Sequence, residues 1–382
     1  MYPGQHARLR PLQPAFIMAS TGEAVTYREL EARSNRLAHL FRKHGLRRLD
    51  HYAIFMENNS RYLEACGAGE RSGLYYTCIN SFLTPGELAY LLVNSQLKIL
   101  ITSVAKLDIA REAIQACPDI ELCIVADGPG ESERIVGLAD VTADLPATPI
   151  ADEWLGTAML YSSGTTGRPK GILRPLPEEK PKHNLPLFDF LTKLWHYREG
   201  MVYLSPAPLY HSAPQAAVNL TIRMGGTVII MESFDPERYL ELVQRWGITH
   251  TQLVPTMFSR MLKLPEEVRG RYDLSSLEIA IHAAAPCPAL VKDDMIKWWA
   301  PSSTNITARP KASASPPATA RNGSATAAPS ARCCSATSTF STRTCGNARS
   351  ARPARSGSRR QRRSNISTTP RRPRRHARPT AA

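Results

Sequence analysis

The chain has no acidic residue after Asp294, and after Ala300 it has no Leu, Val, Met, Tyr or Trp either. Residues 301–382 carry 17 of the 48 Lys and Arg and none of the 33 Asp and Glu. The formal net charge of +15 therefore belongs wholly to that stretch, and residues 1–300 have a net of −2. A basic average points toward polyanion partners, but here it gives no case for a basic body that binds nucleic acid. No run of about 18 apolar residues occurs, so no membrane span is expected. The start, "MYPGQHARLRPLQPAFIMAS", has no continuous apolar core of signal-peptide length. None of the eight Cys falls in a CxxC pair, so neither a zinc framework nor a disulfide framework is expected. Reduced thiols in a cytoplasmic protein are the corresponding expectation.

What is present is a pattern of short apolar runs alternating with helical ones. "TYRELEARSNRLAHLFRKHGL" reads as an amphipathic helix: Thr26 and Glu29 form a capping box, Leu30, Leu37, Leu40 and Phe41 fall at helical spacing, and Gly45 ends it. "HYAIFM", "LYYTCIN", "LKILITS" and "LCIVAD" read as buried strands, separated by the helices "SRYLEACGAGERSG", "TPGELAYLLVNSQ" and "AREAIQAC". After a polar stretch at 127–152 the pattern resumes with the strands "TAMLYSS", "MVYLS", "GGTVIIM", "THTQLVP" and "LEIAIHA" and the helix "DPERYLELVQRWG". Four- to six-residue apolar runs between helices imply parallel sheets covered on both faces. The expected fold class is α/β with two parallel-sheet subdomains, at 1–150 and 151–300. The Pro-rich, charged segment 174–186 is expected to be a surface loop.

Directly after the strand "TAMLY", the run "YSSGTTGRPKG" spans Tyr161 to Gly171. Ser162, Ser163, Thr165 and Thr166 offer hydroxyl groups. Gly164 and Gly167 allow positive φ and bring backbone N–H groups close to an anion, and Lys170 adds a positive charge. These groups suit a polyphosphate. The run is not a GxxxxGK[ST] loop, because two residues separate Gly167 from Lys170 and Gly follows the lysine.

The run resembles the signature phosphate loop of the adenylate-forming superfamily, which includes acyl-CoA synthetases, peptide-synthetase adenylation domains and luciferases. The resemblance covers residues 12–300. "MENNSRYLEACGAGERSGLYYTCINSFLT" is similar to the N-terminal part of acyl-CoA synthetases, particularly fatty-acid–CoA ligases. "LSPAPLYHSAP" is similar to their substrate-side motif, with Tyr210 and His211 at the aromatic position. "IHAAAPCP" resembles the small-residue strand end that borders adenine and acyl group.

The resemblance implies ATP-dependent activation of a carboxylic acid, expected to be fatty, to acyl-AMP and then acyl-CoA, with ATP, Mg²⁺ and CoA as cofactors. Ser162, Ser163, Gly164, Thr165, Thr166, Gly167 and Lys170 would bind phosphates. Tyr210, His211, Ala283, Ala284 and Ala285 would line the acyl and adenine pocket. No metal ligand is expected among the residues present. On composition alone His211 would be an ordinary surface histidine, and the Ala run a strand end packed on a helix. The pair Trp298-Trp299 reads as core packing.

The stretch 301–382 has the composition of disorder: Pro, Ser, Ala, Thr and Arg with almost nothing to bury. It could be a basic arm that binds nucleic acid or acidic membrane, which is the alternative, non-catalytic function class. A wrong-frame translation is the other explanation. In the resembled family, the helix at 291–299 is followed by Gly-Pro and an aromatic strand ending in Tyr-Gly-x-Thr-Glu-Gly, whose Glu serves Mg²⁺ and ATP. The codons TGG TGG GGC CCC ATC ATC TAC GAA TAT TAC encode WWGPIIYEYY. Loss of one G from the run of four yields WWAPSSTNIT, the sequence from Trp298 to Thr307. Continued through Ala312, the hidden frame permits Gly, then Ser or Thr, then Thr-Glu-Gly. On this reading 301–382 is a frameshift product, and the Thr-Glu pair and the C-terminal lid domain with its lysine are missing. Resequencing the junction in independent DNA is expected to show three G where four restore the frame. DNA unable to encode "YEYY" in either alternative frame overturns the reading.

Overall fold

The computed structural model describes residues 2–95, 97–162, 170–172, 175–299 and 334–336. The chain opens with α1 (Pro3–Leu9), β1 (Pro14–Met18), β2 (Ala24–Thr26) and α2 (Tyr27–Lys43). It continues with β3 (His51–Phe55), α3 (Tyr62–Ser72), β4 (Tyr75–Cys78), α4 (Pro85–Asn94), β5 (Ile99–Thr102), α5 (Leu107–Gln115), β6 (Leu122–Val125), β7 (Ile135–Gly137) and α6 (Leu138–Thr142). Then follow β8 (Thr157–Ser162), β9 (Lys170–Ile172), α7 (Pro186–Leu194), β10 (Val202–Ser205), α8 (Ser212–Met224), β11 (Thr227–Ile230) and α9 (Pro236–Trp246). The last elements are β12 (His250–Leu253), α10 (Pro255–Leu262), α11 (Glu266–Arg269), β13 (Ile279–Ala283), α12 (Ala289–Trp299) and β14 (Cys334–Ala336).

Among the described residues the strands form two seven-stranded sheets, ordered β14-β13-β12-β10-β11-β1-β2 and β7-β6-β5-β3-β4-β8-β9. Every pairing is parallel except β1 with β2 and β8 with β9, so each sheet ends in one antiparallel strand. Side chains that alternate along each strand enter different cores. In β3, Tyr52 and Ile54 join a core shared with α2, α3 and α8, whereas Ala53 and Phe55 join a second core with α4 and α5. In β11, Val228 and Ile230 enter the shared core, and Ile229 joins a third core with α9, α10 and α12. The shared core holds residues of both sheets, so α2, α3 and α8 form a common layer between them. Burial on both faces is why these strands are continuously apolar.

The α/β class and the parallel pairing agree with the sequence reading. The capping box is present: the Thr26 hydroxyl accepts from Glu29 N at 3.2 Å, and Glu29 accepts from Thr26 N at 2.8 Å. The sheets do not divide at residue 150, however. β1 and β2 complete the sheet of β10–β14, through pairs such as Phe16 with Val228. β8 extends the other sheet, with Tyr75 opposite Thr157. Sequence adjacency suggested the split, but β1 alternates its apolar residues between the shared and outer cores and so fits beside β11. The polar stretch 127–152 contains β7 and α6, both too short to show a period. The loop 175–185 lies between β9 and α7 as expected, but its backbone is tied down. Arg223, at the end of α8 and buried, donates from Nη2 to Pro181 O at 2.9 Å and to His183 O at 2.7 Å.

Within 301–382 only Cys334–Ala336 is described, and it pairs in parallel with β13, Ile281 opposite Cys334. One edge of β13 therefore carries a strand. The expectation of disorder for the remainder lies outside the described residues. Among the described residues no helix is long and apolar enough to cross a membrane. Cys66, Cys78, Cys117, Cys123 and Cys287 are all free thiols.

Trp299 is 1% exposed at the end of α12, stacked on Tyr239 at 6.5 Å and edge-on to Phe258 at 5.8 Å. Trp298 is only partly buried. Trp299→Ala is expected to destabilise the chain by about 3–5 kcal/mol, and Trp298→Ala by markedly less. Urea unfolding midpoints measure both, and equal losses would contradict this packing.

Candidate active site

In open parallel sheets, ligands bind in the crevice beyond the carboxyl ends of the strands. Three of the sequence motifs lie at such ends. β8 runs into the phosphate-loop motif and β9 returns from it, with Ser162 directly opposite Lys170 and Tyr161 opposite Gly171. The strand pair thus sets Ser162 and Lys170 at the two roots of the loop. Ser163, Gly164, Thr165, Thr166 and Gly167 lie outside the described residues.

The second motif follows β10. Tyr210 is half-buried and His211 exposed, and their rings lie 4.3 Å apart. His211 is the N-cap of α8 and makes no side-chain capping bond, which leaves its ring free for other contacts. Partial desolvation lowers its pKa below the usual imidazole value, so the ring is neutral at pH 7. The third motif follows β13. Ala283 is the last residue of the strand and is buried, while Ala284 and Ala285 are exposed. Ala284 has φ 73°, the left-handed region that favours glycine. The turn thus holds a Cβ in a conformation that carries local strain.

β12 separates β10 from β13, so the Tyr210–His211 loop and the alanine turn stand on the same edge of one sheet. With about 4.8 Å between strands, they are on the order of 10 Å apart at their roots. The structure thus brings these two motifs together. The Gly- and hydroxyl-rich motif leaves the other sheet, and Asn58 links the carboxyl ends of the two. Asn58 follows β3 and is 7% exposed. Its Nδ2 donates to Ala207 O at 3.2 Å and Met231 O at 2.7 Å, and its Oδ1 accepts from Leu209 N at 2.8 Å. One amide therefore fixes the loops after β10 and β11 against the loop after β3. Asn58 lies within the stretch similar to acyl-CoA synthetases, where residue order alone assigns it no role. Its signal is an Asn two residues beyond an apolar strand, where a polar side chain can reach backbone groups that no strand pairs.

His282 precedes the alanine run and is 3% exposed, with neither ring nitrogen hydrogen-bonded. Burial pushes its pKa down to about 4, and Lys292 acts in the same direction. It lies edge-on to Phe258 at 5.9 Å and acts as neutral packing under the turn. Among the described residues no group of three or more His, Cys, Asp or Glu could hold a metal ion.

A family model described as AMP-binding enzyme matches residues 4–306. Over 293 residues the chain is 28% identical to 4-coumarate–CoA ligase CCL1 of Humulus lupulus, covering 74% of this chain and 51% of that protein. Over 295 residues it is 32% identical to a feruloyl-CoA synthase of Amycolatopsis sp, covering 75% and 54%. Among solved structures, the inhibitor-bound N-terminal domain of FACL13 from Mycobacterium tuberculosis superposes with a TM-score of 0.67 at 24% identity, covering 80% of this chain and 73% of that one. The chain belongs to the AMP-binding enzyme family. It spans about half the length of the curated relatives it matches.

Asn58→Ala would leave two carbonyls and one N–H without their partner in a buried setting. The expected cost is about 2–3 kcal/mol. Chemical denaturation measures it, and a loss below about 0.5 kcal/mol would contradict the role given to this amide.

Proposed function

We propose that this chain binds ATP at the loop between β8 and β9 and a carboxylic acid at the carboxyl edge of β10, β12 and β13, as the nucleotide and acid sites of an adenylate-forming ligase. The observation that carries the reading is the β8–β9 register, which sets Ser162 against Lys170 at the mouth of a Gly- and hydroxyl-rich loop. Such a loop is built for phosphate oxygens, and it follows a parallel strand, where nucleotides bind. Ser162, Ser163, Gly164, Thr165, Thr166, Gly167 and Lys170 are assigned to the phosphates. Tyr210, His211, Ala283, Ala284 and Ala285 are assigned to the acid and the adenine.

The chemistry is attack of the acid's carboxylate on the α-phosphorus of ATP, giving acyl-AMP and pyrophosphate, followed by transfer of the acyl group to the thiol of CoA. Carboxylate and triphosphate repel one another, so the site must neutralise charge and hold them in line. Lys170 supplies the positive charge and the loop N–H groups the hydrogen bonds. The neutral ring of His211, unused by the helix cap, can face the acyl group without competing for its carboxylate. Ala284 and Ala285 keep the opposite wall low, so that the adenylate can lie across the strand ends. Among the described residues no group of three or more carboxylates is placed to hold Mg²⁺. The fatty-acid reading of the substrate rests on the resemblance of residues 56–84 to fatty-acid–CoA ligases, while the curated relatives are named for 4-coumarate and ferulate.

The chain carries no Tyr-Gly-x-Thr-Glu-Gly run after Trp299. We attribute this to the frame change inferred above, and the adenylation step is accordingly impaired. Two measurements test the reading. Calorimetry should show ATP binding that Lys170→Ala weakens about 10- to 100-fold, because a charge-assisted bond to phosphate is lost. Exchange of labelled pyrophosphate into ATP, with medium- and long-chain fatty acids, should stay at background. Unchanged affinity in the variant would overturn the phosphate site, and robust exchange would overturn the impairment.

A further inference from the structure

The middle strand of the acid site carries a feature that the motifs did not point to. Ser205 ends β10 and is fully buried, and its hydroxyl has no hydrogen-bond partner. Gln252, one residue before the end of β12, is 7% exposed, and its Oε1 has no partner. The register pairs Tyr203 with His250 and Leu204 with Thr251, so the next pair along these strands is Ser205 with Gln252. On the far side, Gln252 is opposite Ile281 of β13. The three side chains form one row across adjacent strands.

Alternation decides which way the row faces. Leu204 and Leu253 enter the outer core with α9 and α10, so Ser205 and Gln252 face the central helical layer together with Ile281. The row one step deeper contains Tyr203, His250 and Ile279, two of them members of the shared core. Two polar groups without partners thus stand beside each other at the last row before the strands open into the site. The Tyr210–His211 loop leaves one flank and the alanine turn leaves the other. An unpaired buried polar atom costs about 1–3 kcal/mol, so a pair of them at a ligand-binding edge calls for a ligand group that satisfies both.

We propose that Ser205 and Gln252 select the acid: they read a hydroxyl group on the part of the substrate remote from its carboxylate. A single hydroxyl fits the pair because it can donate to Gln252 Oε1 and accept from the Ser205 hydroxyl. Neighbouring strands are about 4.8 Å apart, so one oxygen can reach both side chains. The substrate class is a hydroxylated acid, such as a hydroxyaryl acid, and an unfunctionalised alkyl chain of the same length leaves both protein groups unpaired. Sites built to hydrogen-bond a hydroxyl reject the analogue lacking it far more strongly than apolar pockets reject an added one. This inference rests on the acid site assigned above.

The test uses the full chain and two non-hydrolysable acyl-adenylate mimics, 4-hydroxycinnamoyl and cinnamoyl, each titrated by calorimetry into the parent chain, Gln252→Leu and Ser205→Ala. Thermal melts establish that each variant is folded, and Ser205→Ala serves as an independent arm should Gln252→Leu fail to fold. The parent is expected to prefer the hydroxylated mimic by about tenfold or more. Each variant should bring the ratio toward one while retaining affinity for the cinnamoyl mimic. A parent ratio near one, or a ratio that both variants leave unchanged, overturns the proposal and assigns the row to buried water. If neither mimic binds while ATP still does, the acid-site assignment fails and this proposal fails with it. If ATP also fails to bind, the adenylate-forming reading itself is overturned.

Discussion

Two parallel sheets must each be covered on both faces, and one layer of helices covers the inner face of both. This constraint organises the molecule. A parallel strand exposes no face that water can cover cheaply when its residues are Ile, Val, Leu and Tyr, so both faces need helices. Here α2, α3 and α8 serve both sheets at once, and the same side-chain alternation that sends Tyr52 inward sends Phe55 outward. Because the central layer is shared, the sheets cannot be built in sequence order. β1 and β2 from the start of the chain complete the later sheet, and β8 and β9 complete the earlier one.

The shared layer also fixes where chemistry can occur. Loops leave the carboxyl ends of the strands in both sheets, and polar groups stranded at those ends need partners. Asn58 supplies three of them and thereby joins loops from both sheets into one edge. Arg223 does a similar job at the end of α8, holding the segment that returns from β9. The exposed groups on this edge are few and small: His211, held neutral, and the alanines at 284 and 285. Ser205 and Gln252 stand beneath it as adjacent side chains whose hydrogen-bonding atoms the protein does not use.

Much of this was legible in residue order. The 26–29 capping box, the strands at 51–55, 75–78, 99–102 and 122–125, and the family itself follow from local patterns, because capping, period and a contiguous motif are all short-range. α1, β1 and β2 had no such signal. Prolines at 3, 11 and 14 interrupt the pattern around α1 and β1, and β2 has only three residues, too few for a period to appear. β14 was not expected either, since nothing in "CCSA" distinguishes it from its neighbours. Asn58, Ser205 and Gln252 were missed as participants because an Asn, Ser or Gln has no meaning in isolation. Each gains one only from what lies across a strand boundary.

By itself, the sequence determined the α/β class, the parallel pairing, the Gly- and hydroxyl-rich motif after β8 and the break in composition after Ala300, all of which are written in consecutive residues. Only the tertiary structure decided which strands share a sheet, that the Tyr210–His211 loop and the alanine turn flank β12, and that Ser205 and Gln252 lie side by side without partners. The physical reason is that parallel neighbours are brought together by long crossovers. A strand's partners are therefore set by packing across the central helices, not by its position in the chain.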